Sequence, residues 1–136
     1  MADSSDMTAT YYYTKTLNLS PEEAETRVRE ELEKKGFGIL TEIDVRATLK
    51  KKLDVDFRPY KILGACNPPA AHTALQAEDK IGTMLPCNVI VQEVGDGQTE
   101  VAAVNPVASM QAVENEILRP IAEEIRDRLR EVIQRL

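Results

Sequence analysis

The 136 residues of the chain fit one domain of ordinary size. A content of 43% apolar residues excludes a disordered, highly charged chain. The net charge of −6 disfavours nucleic acid and anionic membrane surfaces as partners, because both bind basic surfaces.

The first predicted elements are a strand and a helix. Residues 1–9 are expected to be a disordered lead-in to a single domain over residues 10–136. Thr10 to Leu17 is rich in β-formers and predicts a strand. Its three tyrosines form either a binding stripe or a cover for the sheet edge and the subunit surface. Ser20-Pro21-Glu22-Glu23 is typical of a capped helix start, and Gly36 predicts the helix end.

The next segment predicts two further strands around a short basic helix or turn at Arg46 to Leu53. Residues 37–45 alternate and predict a half-buried strand. Its apolar face would carry Phe37, Ile39, Ile43 and Val45, and its polar face Glu42 and Asp44. Tyr60 to Cys66 predicts a third strand. Ile62 and Leu63 point to opposite faces of it, so we expect this strand to be central and covered on both sides.

The second half predicts a short helix, a hairpin and a long helix. Asn67-Pro68-Pro69 is typical of a helix start, and this helix should run to Glu78, followed by a loop over Ile81 to Pro86. Cys87 to Val94 and Gln98 to Val104 predict two strands joined by a glycine-rich turn. The last helix is predicted from about Ile117 to Leu136, with Pro120 in its first turn. Its expected buried face consists of Ile117, Ile121, Ile125, Leu129, Val132 and Leu136.

These elements follow one another in the order β-α-β-α-β-α-β-β-α. That order predicts an α+β fold with a single mixed or mainly antiparallel sheet of about five strands and helices packed on one face. Few helices remain to cover the second face of the sheet. We therefore expect a homodimer.

Several stretches resemble one known family in combination. They are Gly38 to Val45, Thr48 to Lys50, Phe57 to Pro69, Ala74-Leu75 and Leu85 to Val89. With these stretches the chain, from about Tyr11 to its C-terminus, resembles the domain-of-unknown-function 302 family. The resemblance implies a small α+β domain that forms homodimers and has no assigned reaction. It also implies that the cysteines belong to one subgroup of the family.

Cysteine usage and the absence of targeting signals predict a compartment. No apolar stretch approaches the roughly 20 residues that cross a bilayer, and Met1 to Thr10 lacks the apolar core of a signal peptide. We therefore expect a cytoplasmic protein without a membrane partner. Cys66 and Cys87 should then be reduced thiols. Their spacing is not that of a C-x-x-C motif.

The most informative cluster of candidate site residues is Cys66, Asn67, His72 and Cys87. Cys66 precedes a helix start, whose dipole would lower the pKa of a thiol, and His72 would be its base. Alternatively, Cys66, His72 and Cys87, with Met84, bind a soft metal. In a third hypothesis, backbone N–H groups after Asn67 bind a small anion or carboxylate. In a fourth, both cysteines are buried apolar residues and His72 is an ordinary surface histidine.

The sequence therefore leaves the function open between two classes. One is a non-enzymatic domain that binds a small ligand, or its own copy, near Asn67-Pro68. The other is a thiol- or metal-dependent protein that uses Cys66, Cys87 and His72. Whether the second class would be catalytic stays open, and no motif in the chain identifies a cofactor.

Overall fold

A five-stranded antiparallel sheet forms the centre of the structure, a computed structural model that describes residues 11–136. The strands are β1 (Tyr12–Leu17), β2 (Gly38–Asp44), β3 (Tyr60–Cys66), β4 (Cys87–Gly95) and β5 (Gln98–Val104). The helices are α1 (Pro21–Lys34), α2 (Val45–Leu53), α3 (Pro68–Ala77), α4 (Pro106–Ser109) and α5 (Leu118–Gln134). A 3-10 helix (Asp79–Met84) follows α3. The predicted lead-in over residues 1–9 lies outside the described residues, so the domain boundary there stays a prediction.

The strands lie in the order β1-β5-β4-β3-β2, and every neighbouring pair is antiparallel. β4 is therefore central, while β1 and β2 are the edges. This arrangement confirms the predicted α+β class with one sheet of five strands.

One face of the sheet carries the hydrophobic core. α1 buries Ala24, Val28 and Leu32, and α5 buries residues such as Leu129, so both helices pack on this face. The strand residues that meet them alternate with half-buried ones. Val89 and Val91 of β4 are buried, whereas Ile90 between them is only partly buried. Because successive strand residues point to opposite faces, Ile90 lies on the face opposite α1 and α5, which we call the open face.

The start and end of α1 confirm the local signals in the sequence. The Ser20 side chain accepts a hydrogen bond from the Glu23 N–H, and the Glu23 carboxylate accepts one from the Ser20 N–H, which is a complete capping box. Gly36 adopts a left-handed conformation with φ of 84°. The Phe37 N–H then donates to the Leu32 carbonyl at 2.9 Å, as in a Schellman motif.

The second strand forms within the predicted residues, but the prediction that one face of it is buried is wrong. β2 is an edge strand, and its pairing with β3 shifts register between Ile39 and Thr41. Glu42 therefore lies opposite Leu63, on the core face, and Ile43 lies opposite Ile62, on the open face. An inserted residue inverts the alternation beyond it, so the apolar pattern does not define one face of the strand.

The predicted buried face of the last helix is wrong at its first position. Ile117 is 59% exposed, because α5 begins at the next residue and Leu118 occupies the buried position instead. Ile121 is only partly buried. Ile125, Leu129, Val132 and Leu136 are buried, as predicted. Pro120 lies in the first turn of α5, where its missing N–H costs no helical hydrogen bond.

Two short helices occupy segments that the sequence predicts as loops or breaks. The 3-10 helix replaces most of the predicted loop over Ile81 to Pro86, and its Ile81 is buried against Ala74 and Leu118. α4 follows Asn105, whose side chain accepts a hydrogen bond from the Val107 N–H. None of the helices in residues 11–136 combines the length and the apolarity that crossing a bilayer requires.

Candidate functional site

Asn67 caps α3 as predicted, and both its amide oxygen and its amide nitrogen form hydrogen bonds within the fold. Its amide oxygen accepts a hydrogen bond from the Ala70 N–H at 3.1 Å. Its amide nitrogen donates to the Gly36 carbonyl at 3.2 Å, which ties the start of α3 to the end of α1. Asn67 is therefore a structural junction between two helix ends.

The N-terminus of α3 offers no open backbone donor for an anion. Pro68 and Pro69 occupy its first two positions and have no N–H. The Ala70 N–H donates to the Asn67 side chain, and the Ala71 N–H donates to the Asn67 carbonyl. The hypothesis that these groups bind a small anion therefore lacks its donors.

Cys66 and Cys87 line one small cavity beside this helix start. The cavity has a volume of about 40 Å³, and apolar residues such as Phe37, Leu85 and Ile125 complete its wall. Ligand pockets usually measure about 300–1,000 Å³. The cavity is thus large enough for water-sized molecules and too small for a metabolite.

Burial favours the neutral form of both thiols. Burial raises the pKa of the Cys66 thiol. Burial, followed by the neighbouring Cys66, raises the pKa of the Cys87 thiol to about 11. The attacking species in thiol chemistry and the ligand in a metal site is the thiolate. The expected lowering of the Cys66 pKa by the helix dipole is therefore wrong: desolvation outweighs a helix end whose donors are already used.

His72 does not join the two cysteines. It is exposed on α3 and does not line their cavity. Met84 also lies outside the cavity, at the end of the 3-10 helix, and is 39% exposed. Within residues 11–136, no three His, Cys, Asp or Glu side chains are grouped closely enough to hold a metal ion. Cys66, Asn67 and Cys87 thus line one cavity, whereas His72, the predicted base, does not.

A second and much larger concavity lies on the open face. It has a volume of about 450 Å³, within the usual range of ligand pockets. Its lining combines aromatic, aliphatic and polar side chains, among them Tyr12, Tyr60, Asn88, Ile90, Gln92 and Glu100. We call it the open-face groove. Of the three consecutive tyrosines, Tyr12 lines this groove whereas Tyr13 is buried in the core.

The open face also carries a continuous apolar row. Ile43 of β2 lies opposite Ile62 of β3, Ile62 lies opposite Ile90 of β4, and Ile90 lies opposite Ala102 of β5. These four residues, which we call the apolar row, cross four strands. Ile43 remains 48% exposed at its outer end. This row could have been predicted from the sequence. Ile62 and Ile90 each adjoin a core residue in a strand, so both apolar side chains point to the face opposite the core.

A further cavity of about 510 Å³ lies between the segment after α4 and the start of α5. The ionisable residues in its lining are Glu114, Glu116, Glu123 and Arg119. None of the predicted site residues lines it. Its surplus of acidic side chains does not define a ligand.

The comparisons with known proteins assign the family. The family described as "Domain of unknown function DUF302" matches residues 13–136, which is most of the chain. The chain belongs to the DUF302 family. This membership confirms the resemblance seen in the sequence. It assigns no function, because the family is described only as a domain of unknown function.

A solved DUF302 structure shows the same fold. The crystal structure of an uncharacterized conserved DUF302 protein from Bacillus stearothermophilus superposes with a TM-score of 0.85 at 30% sequence identity. The match covers 93% of this chain and 98% of that chain. A search of curated proteins gives no match. A functional proposal for this DUF302 protein therefore has to rest on its own geometry.

Proposed function

We propose that this protein is a non-catalytic binding module that works as a homodimer through its open face. The apolar row is the observation that carries the proposal, because it crosses four strands on the face opposite α1 and α5. An antiparallel sheet with one solvated face usually places polar residues on that face. A partner surface that covers the outer end of the row, at Ile43 and Ile62, removes apolar area from water and stabilises the pair, while the groove around Ile90 stays open.

The charges favour a second copy of the chain as this partner. α2 carries four basic residues, Arg46, Lys50, Lys51 and Lys52, and no acidic residue, although the net charge of the chain is −6. α2 buries none of its residues. Exposed apolar residues lie at its end or close to it in the sequence, namely Leu40, Ile43, Leu53 and Val55. A basic helix flanked by apolar residues complements the rest of the chain, which carries the excess of acidic residues, and a second copy supplies that complement.

Sedimentation velocity at micromolar concentration tests the dimer. We expect the natural chain to sediment as a dimer and Ile43→Glu to sediment as a monomer, because a carboxylate would be buried at the contact. Ile117→Glu is the matched control, since Ile117 is similarly exposed but lies at the start of α5. A natural chain that sediments as a monomer refutes the homodimer.

The open-face groove is the proposed site for a small molecule. Its volume of about 450 Å³ and its mixed aromatic and polar lining suit a small ligand, whereas the donors at the Asn67-Pro68 helix start are already satisfied. Ala102→Phe would fill the groove. We expect this variant to lose the amide shifts that small aromatic probes cause at Ile90 and Gln92 in NMR spectra. Equal shifts in both proteins would exclude the groove as the site.

Thiol or metal chemistry is a second candidate function, favoured by the single cavity that Cys66 and Cys87 share. Elemental analysis of the purified protein tests it, with Cys66→Ala and Cys87→Ala as controls. A soft metal that disappears in both variants would support this candidate. Protein without metal, together with slow thiol reactivity, would remove it.

We also propose a cytoplasmic location. Cys66 and Cys87 are free thiols, which a reducing compartment maintains. Fractionation of cells that produce the natural chain tests this proposal. Recovery with the extracellular or membrane fraction would contradict it.

A further inference from the structure

Arg58 carries a positive charge at the rim of the open-face groove without a carboxylate partner. Its Nε donates to Oε1 of Gln92 at 2.8 Å, and both Gln92 and the neighbouring Tyr60 line the groove. Within residues 11–136 its two terminal nitrogens have no acceptor. Other arginines, such as Arg29 and Arg128, form ion pairs with glutamates. The charge of Arg58 is thus left uncompensated.

The guanidinium of Arg58 is held in place by its surroundings. It lies 4.5 Å from the centre of the Phe57 ring and 5.5 Å from that of Tyr60, within the range of cation–π contacts. Its backbone is fixed as well, because the next residue is Pro59, whose carbonyl accepts a hydrogen bond from the Glu93 N–H at 3.0 Å. Much of the entropy that an arginine loses on binding a ligand is therefore already lost.

Gln92 separates this charge from the carboxylate of the groove. Its amide nitrogen donates to Oε1 of Glu100 at 2.9 Å, while its amide oxygen accepts from Arg58. The amide is thereby fixed from both sides. The groove consequently has a cationic rim at Arg58 and an anionic position at Glu100, with the aromatic side chain of Tyr60 beside the cationic end.

We propose that the open-face groove binds a small monocarboxylate with a planar apolar body, and that Arg58 holds its carboxylate through its two terminal nitrogens. The planar guanidinium matches a carboxylate with two parallel hydrogen bonds. The apolar body lies against Tyr60 and Ile90. Glu100 repels a second carboxylate further in, which restricts the ligand to one acidic group. This inference rests on the proposed role of the groove as the ligand site.

An NMR titration with benzoate and its uncharged match benzamide tests the inference. We expect both probes to shift the amide signals of Ile90 and Gln92, with benzoate binding about fivefold tighter than benzamide at low salt, as suits an exposed ion pair. The preference should disappear in Arg58→Gln and weaken at high salt. Arg27→Gln is the matched control, because Arg27 is an exposed arginine on α1, outside the groove.

The outcomes separate this inference from the proposed function. Equal affinities for benzoate and benzamide, unchanged in Arg58→Gln, would overturn the carboxylate assignment and leave the groove as the ligand site. Failure of both probes to shift the groove signals would overturn the assignment together with the groove. The homodimer proposal would be unaffected, because sedimentation velocity tests it separately. An unchanged melting temperature of Arg58→Gln shows that a lost preference is not a loss of fold.

Discussion

Replacing Cys66 with alanine leaves Cys87 as the single cysteine, and its rate of reaction with a chromogenic aromatic disulfide follows from its burial. Cys87 packs against the hydrophobic core, and burial is the first cause that raises its pKa from 9.0 to about 11. The neighbouring Cys66 is only the second cause, so most of the shift should survive in this variant. The thiolate is the attacking species.

The magnitude comes from two opposing effects at pH 8. A pKa of about 11 leaves about 0.1% of the thiol ionised, compared with about 9% for an unperturbed thiol, which is roughly a ninetyfold reduction. A more basic thiolate is intrinsically more nucleophilic, by roughly tenfold for this shift. We therefore expect Cys87 to react up to about tenfold more slowly in the folded protein than in the same variant unfolded in denaturant.

Cys87→Ala, which leaves Cys66 alone, is the companion variant. Burial raises the Cys66 pKa as well, so Cys66 should also react more slowly when folded. A folded protein in which Cys87 reacts as fast as in the unfolded chain would refute this account of the cavity. A fast Cys66 would restore the candidate of thiol chemistry.

Three further predictions concern stability. Because the pKa of Cys87 is raised in the folded state, the free energy of unfolding should fall from about pH 9 to pH 11, by about 3 kcal/mol in all. Urea unfolding of Cys87→Ala should lack this decrease. The same dependence of the free energy of unfolding on pH in both proteins would contradict the prediction. Asn67→Ala should lower the free energy of unfolding by about 2 kcal/mol, because two hydrogen bonds are lost. Asn67→Ser, which keeps the cap, should lose about half as much, and equal losses in the two variants would show that the cap contributes nothing. Gly64→Ala should cost about 1–3 kcal/mol, because the new Cβ meets Thr41 Oγ1 and lies 2.6 Å from Pro86 Cγ. Thr41→Ala in the same chain should recover part of that cost, and a strictly additive double variant would argue against the contact.

Local signals in the sequence predict the elements whose ends are fixed by neighbouring residues. The capping box at Ser20 and the left-handed Gly36 define α1, since both act within a few residues. The hairpin after β4 is defined in the same way, with Gly97 at φ of 70° in its turn. These signals need no knowledge of the rest of the fold.

Features that depend on pairing between distant segments could not be predicted in this way. The register shift in β2 arises from its pairing with β3, about twenty residues further along the chain, so the alternation from Ile39 to Ile43 gives no warning of it. The open-face groove requires β1, β5 and β4 to lie side by side. No local pattern brings Tyr12 next to β5.

The candidate site was predicted only where it depends on neighbouring residues in the chain. That Asn67 caps a helix is a local inference and is confirmed, but its second hydrogen bond, to the Gly36 carbonyl, joins residues 31 positions apart. The consequence for anion binding was nevertheless visible in the sequence, because Pro68 and Pro69 cannot donate. Burial, which decides the pKa of Cys87, emerges only when α3, α5 and β4 enclose one cavity.

A binding surface has groups that stay without a partner until a ligand binds. This requirement distinguishes the open face from the start of α3. At the start of α3 the donors, the amide of Asn67 and the thiols are all satisfied or neutral, so a ligand would have to replace existing hydrogen bonds. On the open face, the apolar row borders on water, and Arg58 is oriented but lacks a counter-charge within residues 11–136. A partner or ligand gains both interactions there without breaking any contact of the fold. We therefore place the proposed binding at the open face, whereas the hydrogen bonds at the start of α3 contribute to stability.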